Sequence, residues 1–435
     1  MKIIHSMVAI PLSIGYYGAM YQRHITPRLL EALADTPVVL LHGARQTGKS
    51  TLLRQLAVER GLAYVSLDEA SVLGAAVADP SGFVRGFGGP VVIDEVQRAP
   101  GLLLAIKAAV DNDRRPGRFV LSGSAHVLLL PRVADSLVGR IEISTLWPLS
   151  QGELTSTPDR FADRVWLEPR PDAGLPLDRM AMAEILVRGG FPEAVGRAPG
   201  RRRRAWFESY LTTLMQRDVR ELAHISGLTE LPRLLALLAA RTCGLSNHAE
   251  LSRSSGLPQT TLGRYLTLLE TTFVLQTLPA WSANLSRRVT KSPKLLLSDT
   301  GLATHLLNLD DPAAVVTHPM WGPLLESLVA LELRKQATWC DTPVRLYHFR
   351  TAAGQEVDLV LERQDGVVIG IEVKASATVG GDDFKGLRLL REAMGDRFHA
   401  GYVLHLGEQV VPYGERLWAA PVSSLWAAGG VARVG

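Results

Sequence analysis

Gly43-Ala44-Arg45-Gln46-Thr47-Gly48-Lys49-Ser50 follows the apolar run Val38-Val39-Leu40-Leu41 and opens the helical pattern Thr51-Leu-Leu-Arg-Gln-Leu-Ala. A strand, a glycine-bounded loop and Lys-Ser at a helix start is the spacing of a phosphate-binding P-loop. The two glycines let the backbone turn tightly enough for successive N–H groups to converge on phosphate oxygens. The positive end of the helix dipole adds to the same place. Lys49 reaches the terminal phosphates as a point charge, and the Ser50 hydroxyl is a candidate Mg²⁺ ligand. Gly43 to Thr51 are therefore the expected nucleotide-binding residues.

Hydrolysis needs more than a cradle. Pro90-Val-Val-Ile-Asp94-Glu95 reads as a short apolar strand ending in two carboxylates. Asp94 is placed to hold Mg²⁺ through water, and Glu95 to polarise the attacking water as general base. Two acids after a strand also suit an ordinary solvated loop; a P-loop one crossover earlier favours the catalytic reading. The next strand candidate, Arg118-Phe-Val-Leu-Ser122-Gly-Ser124, puts Ser124 where a residue that senses the γ-phosphate is expected. Arg140, in Leu137-Val-Gly-Arg140, is a candidate arginine acting on a second copy of the chain, with a surface salt bridge as the plainer alternative.

These segments, in this order, resemble a prokaryotic AAA-type P-loop ATPase family with a C-terminal restriction-endonuclease-like domain of unknown function. The matching stretches are Leu41–Thr51, Ile93–Pro100, Phe119–Ser124, Leu146-Trp-Pro-Leu-Ser150, Gly189-Gly-Phe-Pro-Glu193, Leu297-Ser-Asp-Thr-Gly-Leu302 and Gly354-Gln-Glu-Val-Asp-Leu359. The resemblance implies binding and hydrolysis of ATP with Mg²⁺; it implies no settled biological role.

At 435 residues, with 47% hydrophobic residues and a mean hydropathy of +0.11, the chain has material for two or three cores. No run reaches the roughly 18 to 20 consecutive apolar residues that span a bilayer, so no membrane association is expected. Two cysteines, Cys243 and Cys340, without metal-ligand spacing point to a reducing, cytoplasmic setting. The net charge of +4 permits DNA or RNA as partners without demanding them. Lysine supplies only eight of the 47 basic residues, which draws attention to Lys49 and Lys374. Residues 1–20 superficially resemble a signal peptide. They read instead as a disordered or over-extended start, with Met20 as a candidate initiator.

The fold class expected is α/β: a parallel P-loop sheet with helices on both faces, then a winged-helix module, then a PD-(D/E)xK-like α/β domain. The corresponding segments are 21–200, 201–300 and 301–435. Strand candidates in the first are Pro37–Leu41, Ala63–Leu67, Val91–Ile93, Phe119–Ser122 and Arg140–Ser144. Residues 156–200, rich in Pro, Gly and Arg, read as a boundary with one helix near Met180–Val187. Arg201–Arg204 opens a helix and reads as a solvated face or a partner contact. Residues 231–285 have the beat of three helices and a wing. Gln259, Thr260, Arg264 and Thr267 would face a DNA groove, and Arg287, Arg288, Lys291 and Lys294 would add charge. The alternative is a module that only packs beside the ATPase.

A second chemical constellation lies downstream. Glu326 sits on an amphipathic helix, Asp358 on the strand Glu356-Val-Asp-Leu-Val-Leu-Glu, and Glu372 and Lys374 on Val367-Val-Ile-Gly-Ile-Glu-Val-Lys. Period-two alternation puts Glu372 and Lys374 on one side of their strand, and a hairpin brings Asp358 to them. The set resembles the PD-(D/E)xK nuclease core, although Val357 stands where that motif has Pro. In that reading Glu326, Asp358 and Glu372 ligate Mg²⁺ and Lys374 positions water; the plainer reading is a surface ion pair. Two functions follow: an ATP-dependent nucleic-acid-processing enzyme, or a non-nucleolytic ATP-driven switch that docks a protein or nucleic acid. A homo-oligomer is compatible with either.

Overall fold

The apolar run before the glycine loop forms β1 (Val38–His42), buried along its whole length. Its alternate residues serve opposite faces: Val38 and Leu40 enter one core, Val39 and Leu41 the other. Such two-sided burial is why the segment reads as a continuous apolar run. A computed structural model of the chain describes residues 21–124, 139–219, 230–282, 288, 291–351 and 353–427. The expected irregular start 1–20 and Arg287 lie outside the described residues.

β1 belongs to a parallel five-stranded sheet with β2 (Ala63–Ser66), β3 (Val91–Asp94), β4 (Phe119–Gly123) and β5 (Ile141–Thr145). The order is β2-β3-β4-β1-β5, so β4 stands between the loop-bearing strand and the strand ending in Asp94. The register pairs Leu41 with Ser122 and Ile93 with Leu121, which brings the C-terminal ends of all three strands level. Ligands in open α/β sheets bind beyond such ends, where strand order reverses. This parallel sheet, typical of P-loop NTPases, carries all five strands expected from the sequence.

Residues 156–200 are more ordered than their composition suggests. They carry three helices, Phe161–Leu167, Arg179–Arg188 and Pro192–Val195. Phe161 and Trp166 pack against Tyr402 and His399 of a later sheet. Gly190 donates its N–H to the buried Asp299, which also caps the helix Thr300–Leu306 by accepting from Leu302. Leu149 in turn donates to the Gly190 carbonyl. Three of the motifs noted in the sequence therefore meet in one knot.

The helical region holds Leu231–Ala239, His248–Ser255 and Gln259–Thr271, followed by an antiparallel pair, β6 (Leu275–Leu278) and β7 (Lys294–Leu297). Asn247 caps the second helix by accepting from the Glu250 N–H, and Gly256 closes it in the left-handed region. The C-terminal part is a mixed six-stranded sheet built from β8 (Val344–Arg350), β9 (Glu356–Arg363), β10 (Val368–Val373), β11 (Phe398–His405), β12 (Val411–Pro412) and β13 (Leu417–Pro421). Its order is β12-β13-β11-β10-β9-β8. The helix Lys385–Met394 covers one face through Leu387, Leu390 and Met394.

The helix Trp321–Gln336 is buried on nearly all sides and bonds to several segments distant in sequence. Glu332 accepts from the Gln151 N–H (2.8 Å), and Lys335 donates to the Leu149 carbonyl (3.0 Å). Arg334 donates to Gln276 and the Thr277 carbonyl, and Gln336 joins the Ala162 N–H to the Leu425 carbonyl. Removing one partner of a buried ion pair leaves the other charge uncompensated. Glu332→Ala, which strands Lys335 (2.7 Å away), should cost about 3–5 kcal/mol in chemical denaturation. Asp365→Ala, which breaks an exposed pair with Arg363, should leave the curve in place.

Candidate functional site

The loop after β1 is shaped by two glycines. Gly43 has φ 151°, and a Cβ there would overlap the Leu146 carbonyl oxygen at the end of β5. Gly48 (φ 95°) occupies the cap position of the helix Lys49–Arg60 and offers no side-chain acceptor. The first-turn N–H groups of that helix are thus left to an anion. Lys49 is 4% exposed, and its Nζ donates to the carbonyls of Gly43 (2.9 Å) and Ala44 (2.7 Å) across the loop. The Thr47 hydroxyl donates to Ala44 and stiffens the turn, which passes through Gln46 at φ 60°. Arg45, Ser50 and Thr51 complete the segment. A cradle closed to side chains, an uncapped helix start and a buried ammonium fit a nucleotide triphosphate.

Asp94 and Glu95 end β3 beside it. Asp94 is buried and accepts from the Ser122 hydroxyl and from Tyr64 (2.6 Å). Burial and this bond to Asp94 push the Tyr64 phenol up, so it stays a donor. Glu95 is held at φ 61°, a costly conformation for a non-glycine residue, by an N–H bond to the Ser122 oxygen (3.0 Å). Its carboxylate accepts from Gln97 and lies 3.4 Å from the Ser124 hydroxyl; Gln97 also donates to Ser124 (3.0 Å). Glu95, Gln97 and Ser124 thus form one triangle at the sheet edge. Ser50 and Asp94 are the residues that would hold Mg²⁺ here.

Arg23 was not singled out by the sequence. Its guanidinium, 7% exposed, donates to the carbonyls of Thr47 (2.7 Å) and Trp147 (2.7 Å) and pairs with Glu153 (2.9 Å). Glu153 also closes a capping box on Ser150 and accepts from the His24 N–H. Burial would raise the Glu153 carboxyl, but Arg23 and these amides outweigh it and hold it below the usual carboxylate range. Its place in Tyr21-Gln22-Arg23-His24, just before the first helix, carries no local pattern that marks this role. Arg140 lies elsewhere: its carbonyl accepts from Val38, at the end of β1 remote from Gly43, and its side chain pairs with Asp111 (2.6 Å).

The C-terminal acids do converge. β9 and β10 form the expected hairpin, with Ile371 opposite Leu359. Asp358 accepts from the Val373 N–H (2.9 Å), and Lys374 pairs with Glu372 (2.9 Å). An unexpected group joins them. Lys294, at the start of β7, sends its Nζ to Glu326 (2.6 Å) and Asp358 (3.4 Å). Burial, then the Asp358 charge, pushes Glu326 up to about 8 and Glu372 up to about 7. Burial alone would depress Lys294, yet the carboxylates outweigh it and keep the ammonium charged. Among the described residues no group of three or more His, Cys, Asp or Glu side chains is arranged to hold a metal ion. Two of the three acids expected as Mg²⁺ ligands, Glu326 and Asp358, instead share the Lys294 ammonium.

Two of the basic residues expected near a DNA groove, Lys294 and Arg288, are committed to partners within the fold, while Lys291 and the earlier Arg204 stay exposed. Lys294 is buried, and Arg288 makes a two-pronged pair with Glu362 (2.6 and 2.6 Å). Lys291 donates to the Arg350 carbonyl, and Arg204 pairs with Asp310. Gln259, Thr260, Arg264 and Thr267 do share an exposed face.

Arg23→Met should weaken ATP binding about tenfold in calorimetry, because two loop carbonyls and Glu153 lose their shared donor. Its effect should exceed that of Arg140→Ala in dilute protein. The folded-state pKa of Glu153 lies below the unfolded value, so the pair's contribution is complete above the ordinary glutamate value of about 4.3 and fades as pH falls through the folded one. Glu153→Gln should flatten the acid limb of stability against pH.

Known protein families match three successive parts of the chain. An AAA domain matches residues 35–155, a domain of unknown function (DUF8612) residues 179–313, and a second (DUF4143) residues 321–425. The chain is 32% identical over 412 residues to the uncharacterized proteins Rv2008c of Mycobacterium tuberculosis and Mb2031c of Mycobacterium bovis, covering 94% of this chain and 86% of each relative. The Walker-type ATPase PABY2304 of Pyrococcus abyssi is similar at 17% identity and TM-score 0.40, covering 66% of this chain and 96% of that one. The RuvB Holliday junction branch migration motor of Thermotoga maritima is similar at 19% identity and TM-score 0.28, with 59% and 89% covered. Neither likeness is close enough to bear on mechanism. Among the described residues no helix is long and apolar enough to cross a membrane. The chain belongs to the same family as the two mycobacterial proteins and carries an AAA-type P-loop ATPase domain followed by two domains of unknown function.

Proposed function

We propose that this protein is a cytoplasmic Mg²⁺-dependent ATPase whose nucleotide state controls a winged-helix module and a nuclease-like C-terminal half that engage DNA or RNA. One observation carries the reading: Lys49, Asp94, Glu95 and Ser124 gather at the same edge of the parallel sheet, on the ends of β1, β3 and β4. Loop amides and Lys49 bind the phosphates. Glu95 takes the proton of the attacking water as its oxygen bonds to the γ-phosphorus and the bond to ADP breaks. Ser124 and Gln97 orient that carboxylate. Mg²⁺ supplies charge neutralisation on the phosphates when bound.

The route from this site to the rest of the chain is packed, not tethered. The Phe273 ring meets His42 edge-on (4.9 Å) and Trp147 (5.9 Å) at the foot of the glycine loop. Phe273 leads directly into β6, so a shift of the loop is felt by the β6–β7 hairpin. Arg140, remote from the loop of its own chain, reaches a bound triphosphate only from a second copy in a homo-oligomer.

Lys49→Ala should abolish high-affinity ATP binding. Glu95→Gln should bind ATP within about threefold of wild type while hydrolysis falls on the order of 10²-fold or more; unchanged turnover would remove Glu95 from the mechanism. For the nucleic-acid part, labelled DNA and RNA should be retained in a nucleotide-dependent way. Arg264→Ala should weaken that retention and leave the ATPase rate alone.

A further inference from the structure

The acids Glu326, Asp358 and Glu372 come from three elements, and a nuclease centre would use them to hold a divalent cation. Four of their six carboxylate oxygens are already engaged. Glu326 Oε1 and Asp358 Oδ1 both face Lys294 Nζ, Asp358 Oδ2 accepts from the Val373 amide, and Glu372 Oε1 accepts from Lys374. Of the other two, Glu372 Oε2 is buried without a partner. Lys294 is not a surface side chain that wandered in. It is 4% exposed, and its backbone is fixed by pairing with Leu278 in β6 and bridging to Leu245. His348 and Cys243 lie near Lys294 and bring no competing charge: burial and Lys294 push His348 down to about 4, and burial raises the Cys243 thiol.

A divalent ion at the usual place would sit within bonding distance of two carboxylates that already hold an ammonium. Like charges that close in a low-dielectric site exclude one another. We propose that Lys294 is the resident cation of this cluster: it plugs the nuclease-like centre, excludes Mg²⁺ and Mn²⁺, and latches the β6–β7 hairpin to the C-terminal sheet. The wild-type C-terminal domain is therefore not a metal-dependent nuclease in this closed arrangement, and a cation enters only when Lys294 leaves. The inference does not rest on the ATPase reading, since nucleotide-free protein tests it and its failure leaves the P-loop assignments untouched.

The test titrates Mn²⁺ into full-length, nucleotide-free protein and follows free Mn²⁺ by electron paramagnetic resonance. Wild type and Asp358→Asn should bind Mn²⁺ alike. Lys294→Met should gain a site at least about tenfold tighter than anything in wild type, and Lys294→Met/Asp358→Asn should lose it again. Wild-type binding or Mn²⁺-dependent cleavage of DNA or RNA that Asp358→Asn removes would overturn the proposal, as would a folded Lys294→Met that gains nothing. If Lys294→Met does not fold, the wild-type comparison with Asp358→Asn decides alone. A latch also predicts that Lys294→Met/Glu326→Gln melts higher than Lys294→Met, since it removes the stranded carboxylate; an unchanged or lower melting temperature counts against it.

Discussion

One buried cation organises the nucleotide site. Arg23 has no solvent to turn to, and a charge in that position persists only when it is paired and fully hydrogen-bonded. It finds the Thr47 carbonyl inside the glycine loop, the Trp147 carbonyl just beyond β5, and the Glu153 carboxylate of a capped turn. The glycine loop and the stretch from Trp147 to Glu153, far apart in sequence, are thereby held in register around one planar fork, which suits arginine better than lysine. The neighbouring His24 adds a contact to Asp159 and packs edge-on against Trp339, so the short stretch before the first helix is part of the loop's foundation.

The same economy governs the joint between the ATPase sheet and the remainder. A single hydrophobic core runs from Ala44, within the glycine loop, through Phe207, Leu235 and Leu328 to Trp426. The helix Trp321–Gln336 passes through it as a mast, with Glu332, Arg334, Lys335 and Gln336 each spent on a different neighbour. Polar groups buried in this way fix one docking geometry, because any shift leaves several of them unsatisfied at once.

Local signals were strong wherever function depends on backbone spacing. Gly43 and Gly48 bound the loop, β1 and β3 are buried on both faces as apolar runs must be, and Asp94 and Glu95 follow as paired acids; each is a short-range consequence of residue order. Asn247 and Gly256 likewise delimit their helix by chemistry visible in the sequence. The stretch 156–200 misled because Pro and Gly punctuate it, yet Phe161 and Trp166 bury against residues more than two hundred positions away. Lys294 misled for the same reason. A lysine beside Arg287, Arg288 and Lys291 looks like part of a basic patch until the pairing of β6 with β7 turns its side chain inward.

The order of residues by itself determined the phosphate loop, the paired acids after β3 and the hairpin that unites Asp358 with Glu372, since each is set by dihedral preference and period along a few consecutive positions. Tertiary structure alone decided that Arg23 supports the loop and that Lys294 fills the acid cluster. Both are matches between a buried charge and partners distant in the chain, and such a match is fixed by the cost of leaving a charge unpaired in a dry interior, which no local pattern encodes.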